Sequence, residues 1–355
     1  MKTLERIVRH AGHVISAPKN IALRALDVPL KPRWVVFMPT DRCNSRCLHC
    51  NIWQQKATDN PLKPDEIENI FGDDLFEKVG CVMLTGGEAT TRSDINEVIL
   101  GVHKVLPKAL IQLSTNALLP QRAFDAAKMA MEQNINFAVG VSLDGIGEAH
   151  DKMRGVKGNF EKVDWLLRKL VELREKHGSK LNVAAGIVLS DFTLDSLEAV
   201  RQYARGLCIG LVEQWYNESS FYSNVGDKKF HQELYDAVKS QQPTPLQESW
   251  LGSLKGKSIR FPCFALYRFC VLKCNGDIVP CLNKWDSTAG NIRESSPSQI
   301  WYGQRAKEVR AGIRNCKGCL NGWQVGWSFE SSYHQILSFY LRHPKLLVAK
   351  VCSGS

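Results

Sequence analysis

Asp41-Arg42-Cys43-Asn44-Ser45-Arg46-Cys47-Leu48-His49-Cys50 sets three cysteines at C-x-x-x-C-x-x-C spacing, directly after the apolar run Trp34-Val35-Val36-Phe37-Met38. Three thiolates this close can hold three corners of a 4Fe-4S cube and leave its fourth iron open for chemistry. Structural zinc ordinarily takes two cysteine or histidine pairs and closes all four positions, so the triplet alone argues against it. The apolar run before the cysteines reads as a first strand over residues 33 to 39.

Outward from that strand, short apolar or β-branched runs alternate with longer amphipathic stretches, the pattern of repeated βα units around a parallel sheet. Further strands are expected at 79 to 85, 109 to 114, 136 to 142, 182 to 189 and 209 to 215. Helices are expected at 64 to 78, 94 to 105, 120 to 133, 159 to 177, 193 to 206 and 227 to 240. Pro64-Asp65-Glu66 opens the first of these with an early proline and acids at the positive end of the dipole. Residues 241 to 262 are rich in turn formers and read as a linker. A cysteine-rich unit follows over 263 to 322, so the expected division is 1–32, 33–240, 241–262, 263–322 and 323–355.

The chain has 355 residues, 44% hydrophobic and 23% charged, the mix of a soluble globular protein rather than a disordered one. It lacks an apolar stretch of membrane-spanning length and a secretory signal core, so a cytoplasmic protein is expected. Twelve cysteines in that compartment read as metal ligands rather than disulfides. The formal charge of +10 is concentrated at the ends: residues 1 to 34 hold seven Lys/Arg against two acids, and residues 331 to 355 hold Arg342, Lys345 and Lys350 with no acid. Leu4, Ile7, Val8, Ala11, Val14 and Ile15 form one helical apolar stripe, and Tyr333, Ile336, Leu337, Tyr340 and Leu341 another. Such basic amphipathic ends suit peripheral contact with the inner membrane face or an acidic partner; the plainer reading is that they cap a barrel. No basic stripe interleaved with aromatics points to nucleic acid.

Thr85-Gly86-Gly87-Glu88 ends the second expected strand, Ser114-Thr115-Asn116 the third, and Ser142-Leu143-Asp144-Gly145 the fourth. Together with the cysteine triplet these motifs resemble the radical S-adenosylmethionine (SAM) superfamily, over roughly residues 33 to 322. The resemblance implies a partial (β/α)6 barrel with its chemistry at the carboxyl ends of the strands. It implies that Cys43, Cys47 and Cys50 ligate a 4Fe-4S cluster whose open iron chelates SAM, and that reductive cleavage of SAM yields a 5′-deoxyadenosyl radical. Gly86, Gly87 and Glu88 would then hold the SAM amino group, and Ser114, Asn116, Ser142 and Asp144 would line its pocket. Arg154 would pair with the SAM carboxylate, whereas a surface salt bridge is the plainer reading. Leu189 and His49 would lie beside adenine, or be a core residue and a solvent-exposed histidine respectively. An external electron donor of flavodoxin or ferredoxin type follows from the same resemblance.

In the cysteine-rich unit Cys263 is followed by Cys270, Cys274, Asn275-Gly276-Asp277-Ile278-Val279-Pro280-Cys281 and Cys316-Lys317-Gly318-Cys319. Asn275-Gly276 between apolar runs signals a hairpin. The set resembles the auxiliary-cluster modules of the superfamily, in the short "twitch" form rather than the longer SPASM form, since Val325 stands where a further cysteine would fall. That implies one auxiliary 4Fe-4S cluster on Cys263, Cys281, Cys316 and Cys319, with Cys270 or Cys274 as replacements. A zinc ribbon on the same four cysteines is the alternative.

The family chemistry implies hydrogen abstraction, and an auxiliary cluster implies two-electron oxidation once a base removes a proton. Leu282 stands where some relatives carry an aspartate base, so Glu213 is the expected base, ahead of Asp277 and Asp286. Epimerisation with Cys208, Cys270 or Cys274 as hydrogen donor is the alternative. Peptide maturation is disfavoured by the 32 residues before the first strand, and cluster binding without turnover by the presence of Glu88 and Arg154. Gln214, Tyr216 and Asn217 suit a sugar, cyclitol or nucleoside, and the basic ends suit a lipid-linked head group.

Overall fold

Five uncharged residues in a row suit a strand covered on both faces, and Trp34-Val35-Val36-Phe37-Met38 forms most of β1 (Trp34–Thr40), buried from Val35 onward. The structure, a computed structural model, describes residues 16–215, 228–238, 262–314, 322–332 and 334–344, with residues 244, 247–248, 251–252, 316 and 319 between them. Tyr216, Asn217, the N-terminal stripe from Leu4 to Ile15, Tyr333, Lys345, Lys350, Cys352 and most of the expected linker lie outside the described residues.

β2 (Cys81–Gly86), β3 (Leu110–Thr115), β4 (Phe137–Ser142), β5 (Leu181–Leu189) and β6 (Gly210–Trp215) follow β1. Each strand pairs in parallel with the one before it. The helices of these units are α1 (Pro64–Phe71), α2 (Ile95–Val105), α3 (Pro120–Glu132), α4 (Glu148–Arg154), α5 (Asn159–His177), α6 (Leu197–Gly206) and α7 (Lys228–Val238). This is the partial (β/α)6 barrel anticipated from the sequence. The expected helix over 64 to 78 divides at Gly72 into α1 and a 3-10 segment, Asp74–Lys78, because the Asp73 side chain accepts Leu75 N at 2.8 Å and restarts the chain.

The cysteine-rich unit joins the same sheet as the barrel. β7 (Phe269–Leu272) pairs in parallel with the free edge of β1, and β8 (Asp277–Val279) and β9 (Gly290–Asn291) continue antiparallel, giving one nine-stranded sheet in the order β6-β5-β4-β3-β2-β1-β7-β8-β9. The turn from β7 to β8 uses Gly276 at φ +94, a left-handed conformation that suits glycine. α8 (Pro297–Tyr302), α9 (Gln304–Ile313), α10 (Gly322–Ser332) and α11 (His334–Arg342) complete the chain.

Alternation along the strands separates two apolar cores. Val35, Phe37, Cys270 and Leu272 face the outer helices, while Val36, Met38, Phe269 and Val271 face inward with Met83 and Val279. α10 enters that inner side: Trp327 stacks on Trp34 at 5.8 Å and lies 5.4 Å from Phe269. Helical residues 16–25 pack on α10, where Asn20 Nδ2 donates to Ser331 O at 3.0 Å. Among the described residues no helix is long and apolar enough to cross a membrane.

Candidate functional site at the barrel mouth

The cysteine loop is clasped from two sides. Gly87 N donates to Thr40 O at 2.9 Å and Glu88 N to Arg42 O at 2.8 Å, so the loop after β2 runs against the loop after β1. The approach is too close for a side chain: a Cβ on Gly87 would lie 2.1 Å from Arg42 O, and one on Gly86, at φ +116, 2.5 Å from Thr40 O. From the other side the carboxyl end of α4 supplies acceptors. Arg46 N and Ser45 Oγ each reach Arg154 O at 2.9 Å, and Leu48 N reaches Met153 O at 3.0 Å.

Glu88 is buried and its carboxylate joins the loop after β2 to the turn that ends β3. Oε1 accepts from Thr90 N (3.2 Å), Thr90 Oγ1 (2.6 Å) and Thr115 Oγ1 (2.8 Å), and Oε2 accepts from Asn116 N at 2.7 Å. Asn116 Nδ2 in turn donates to Asn44 Oδ1 at 2.9 Å and reaches Cys43 Sγ at 3.9 Å. The glycine-glycine-glutamate and serine-threonine-asparagine turns are thus wired to the cysteine loop itself.

Arg154 is buried, and its partner is Asp144. Its NH1 also lies 3.5 Å from Cys47 Sγ, to which Ser45 Oγ approaches at 3.1 Å. The surface salt bridge considered from sequence is therefore an interior pair. Burial opposes the Asp144 charge, but Arg154 and His49 prevail and hold its carboxyl below the usual range. Behind it, Asp144 N donates to His150 Nδ1 at 3.1 Å, His150 Nε2 meets Asn159 Oδ1 at 3.2 Å, and Asn159 Nδ2 donates to Asn116 O at 3.0 Å. His49 is buried rather than solvent-exposed, its Nδ1 has no hydrogen-bond partner among the described residues, and burial drops its pKa to about 4.

A cavity of about 400 Å³ opens inside the barrel from β2 to β6. Its volume comes from small inward residues, Ala138 and Gly140 on β4 and Ala184 and Gly186 on β5. Of the four residues expected at the SAM pocket, Ser114 and Ser142 line the cavity and Asn116 and Asp144 do not; Thr85 lines it too, with Gln112, Asn182 and Gln214, whose side chains hydrogen-bond to no described residue. Arg154 lines it too, and Leu282 with Trp323 and Gln324 of α10 form a wall. The alternation of small residues in Ala138-Val139-Gly140 and Ala184-Ala185-Gly186 was the signal for this space in the sequence.

Seven expected positions fall elsewhere. Glu213 turns outward, where both carboxylate oxygens bind Arg201 of α6 at 2.7 and 2.9 Å, because β6 presents Val212 and Gln214 to the cavity. Leu189 packs in the outer core and Val188 takes the inward place. Cys270 is a fully buried outer-core residue whose thiol burial pushes up to about 12. Cys274 is buried beside Thr58, 3.5 Å from its Oγ1, away from the cavity lining. Cys208 is exposed just before the amino end of β6, opposite the mouth. Asp277 is bound by Asn275 and Asn291 at the hairpin, and Asp286 is exposed.

The radical SAM superfamily model matches residues 37–204, and that of an iron-sulfur cluster-binding domain, SPASM, matches residues 263–320; together they span well over half of the chain. The chain belongs to the radical SAM superfamily. This radical SAM protein is 36% identical over 128 residues to Fe-coproporphyrin III synthase of Methanosarcina barkeri, 36% of this chain and 31% of that protein. It is 28% identical over 158 residues to the subtilosin biosynthesis protein AlbA of Bacillus subtilis, 44% of this chain and 33% of that protein. The matched stretch thus spans about a third of either relative. Streptococcus suis SuiB bound to S-adenosylmethionine superposes with a TM-score of 0.59 at 17% identity, covering 84% of this chain and 71% of that one. At that identity the likeness speaks to the fold.

Membership implies SAM, a 4Fe-4S cluster and auxiliary iron-sulfur chemistry as cofactors. The donor set fits them. Among the described residues no group of three or more His, Cys, Asp or Glu is set to hold a metal ion. The triplet thiols nevertheless lie within electrostatic reach of one another, as donors to separate irons of one cluster would. Burial pushes Cys43 to about 11 and Cys50 to about 12, aided by the neighbouring thiols and, for Cys43, by Glu88. These thiols are therefore protonated until metal displaces the proton. In the second unit burial places Cys263 at about 11 and Cys281 at about 12, with Cys316 acting electrostatically on both and Cys263 also on Cys281. Cys319 Sγ lies 3.9 Å from Asn283 Nδ2, two residues after Cys281.

Proposed function

We propose that this radical SAM protein cleaves SAM at the Cys43, Cys47 and Cys50 site and abstracts hydrogen from an uncharged polar small molecule seated in the barrel cavity, oxidising it by two electrons. The observation that carries the reading is the juxtaposition of the clasped cysteine loop with a mostly apolar cavity into which a few hydroxyls and amides, those of Thr85, Gln112, Ser114, Ser142, Asn182 and Gln214, are set. When bound, the cluster supplies the electron that breaks the sulfonium. Ser114, Ser142 and Val188 would bound the SAM pocket, with Arg154 and the buried His49 at its inner side. Asp144 would keep Arg154 aimed into the mouth, ready to share its donors with a carboxylate. Thr85, Gln112 and Gln214 would orient the substrate's hydroxyl or carbonyl groups. Cys263, Cys281, Cys316 and Cys319 would hold one auxiliary cluster that accepts the second electron, while a flavodoxin- or ferredoxin-type donor feeds the first. Peripheral membrane contact through the basic ends would serve a lipid-linked substrate.

A peptide substrate is the second reading, favoured by the kinship with AlbA, a bacteriocin biosynthesis protein. Epimerisation by a thiol hydrogen donor has less support, since Cys270 and Cys274 do not line the cavity. Anaerobic reconstitution with iron counting and assay of 5′-deoxyadenosine tests the reading. About eight irons per chain and SAM cleavage support it, and about four irons remove the auxiliary cluster and the oxidation with it. Solvent deuterium at carbon in the product would indicate epimerisation instead.

A further inference from the structure

Arg24 stands in the N-terminal helical segment, yet its guanidinium is spent on the second cysteine unit. Its Nε donates to the carbonyl oxygen of Cys263 at 2.7 Å and its NH2 to that of Arg314 at 3.4 Å. The guanidinium carbon lies 5.6 Å from the Tyr267 ring centre and 6.0 Å from that of Phe264. Among the described residues no acid pairs with it. Asp27, three residues on, is taken by Tyr267 at 2.6 Å, Arg310 at 3.1 Å and Arg314 at 3.6 Å. Lys284, three residues after Cys281, is exposed to water. A half-buried, uncompensated cation is thus fastened to the backbone of Cys263.

We propose that Arg24 is a positioning residue that raises the reduction potential of the auxiliary cluster. The proposal rests on Cys263, Cys281, Cys316 and Cys319 being its ligands, as read above. Reduction adds one negative charge to the cluster, and a fixed positive charge nearby stabilises that form over the oxidised one; net charge and hydrogen bonding near the sulfurs are established levers on such potentials. Asp27 offsets one of the two charges of Arg310 and Arg314 on the same side, and Arg24 is the cation hydrogen-bonded to the backbone of the ligand Cys263 itself. In the proposed oxidation this makes the auxiliary cluster the better acceptor for the electron left on the substrate.

The test is an anaerobic redox titration of the full chain, followed by electron paramagnetic resonance, for the native protein, Arg24→Gln and Arg24→Lys. The auxiliary signal is the one that added SAM leaves unchanged. All three proteins should hold about eight irons. Arg24→Gln should reduce the auxiliary cluster at least about threefold less at a fixed potential, a shift of about 30 mV for a one-electron couple, and Arg24→Lys should stay near the native value. An unshifted midpoint in Arg24→Gln at full iron overturns the proposal, as does iron loss in that variant or a lysine variant that behaves like the glutamine one. Native protein with about four irons and no SAM-insensitive signal would instead overturn the ligand assignment on which the proposal stands.

Discussion

Glu88 Oε2 accepts the backbone N–H of Asn116 at 2.7 Å, so one buried carboxylate fastens the loop after β2 to the loop after β3. Glu88→Gln would turn an amide N–H₂ towards groups that are themselves donors. Leaving such donors unsatisfied costs about 1–3 kcal/mol. The expected result is a lower urea midpoint with an unchanged slope, together with weaker SAM binding by equilibrium dialysis.

Gly87→Ala drives a methyl group to 2.1 Å from Arg42 O, one residue before Cys43. Backbone cannot yield there without moving the cysteine loop, and overpacking of this kind costs about 1–3 kcal/mol. After reconstitution the variant should retain about four irons rather than about eight. Retention of all the iron would show that the loop tolerates displacement.

Cys281→Ser and Cys270→Ser separate ligands from filler. The first should lose the auxiliary iron, measured by iron assay and the matching loss of charge-transfer absorbance. The second should keep it, because Cys270 packs among outer-core residues on β7.

Burial, and then the nearby Arg154, hold His150 at about 4, against about 6.5 in an unfolded chain. Between those values the unfolded chain binds a proton that the folded one refuses, so stability is full above about pH 6.5 and falls as pH drops towards 4. The loss approaches about 3 kcal/mol for this residue. Urea unfolding at pH 7 and pH 4.5 should show it, and His150→Gln should flatten the dependence.

Glu213→Gln should change 5′-deoxyadenosine formation by less than about twofold, since the carboxylate faces Arg201 rather than the cavity. Gln214→Leu, one residue on, should weaken substrate coupling of that reaction. A large effect of the first substitution would mean that the outward pair governs the mouth.

The barrel strands were readable because each is an apolar run ended by a motif that the chemistry needs, such as Thr85-Gly86-Gly87-Glu88 or Ser142-Leu143-Asp144-Gly145. Facing was harder. A parallel strand is buried on both sides, so composition does not say which alternate residues turn inward, and a one-residue shift exchanges the two sets. That is why Val188 and Gln214 hold the places assigned to Leu189 and Glu213. The pairing of β1 with β7 was hidden for another reason: Trp34 and Phe269 meet across more than half of the chain, and no local pattern encodes so distant a partner.

α10 begins three residues after Cys319 and ends beyond Trp327, whose indole rests on Trp34 at the foot of β1. The helix therefore works as a cork, its Trp323 and Gln324 set in the cavity wall. With the last cysteine pair holding the proposed cluster, a pull there would be felt in the shape of the chamber a few residues on.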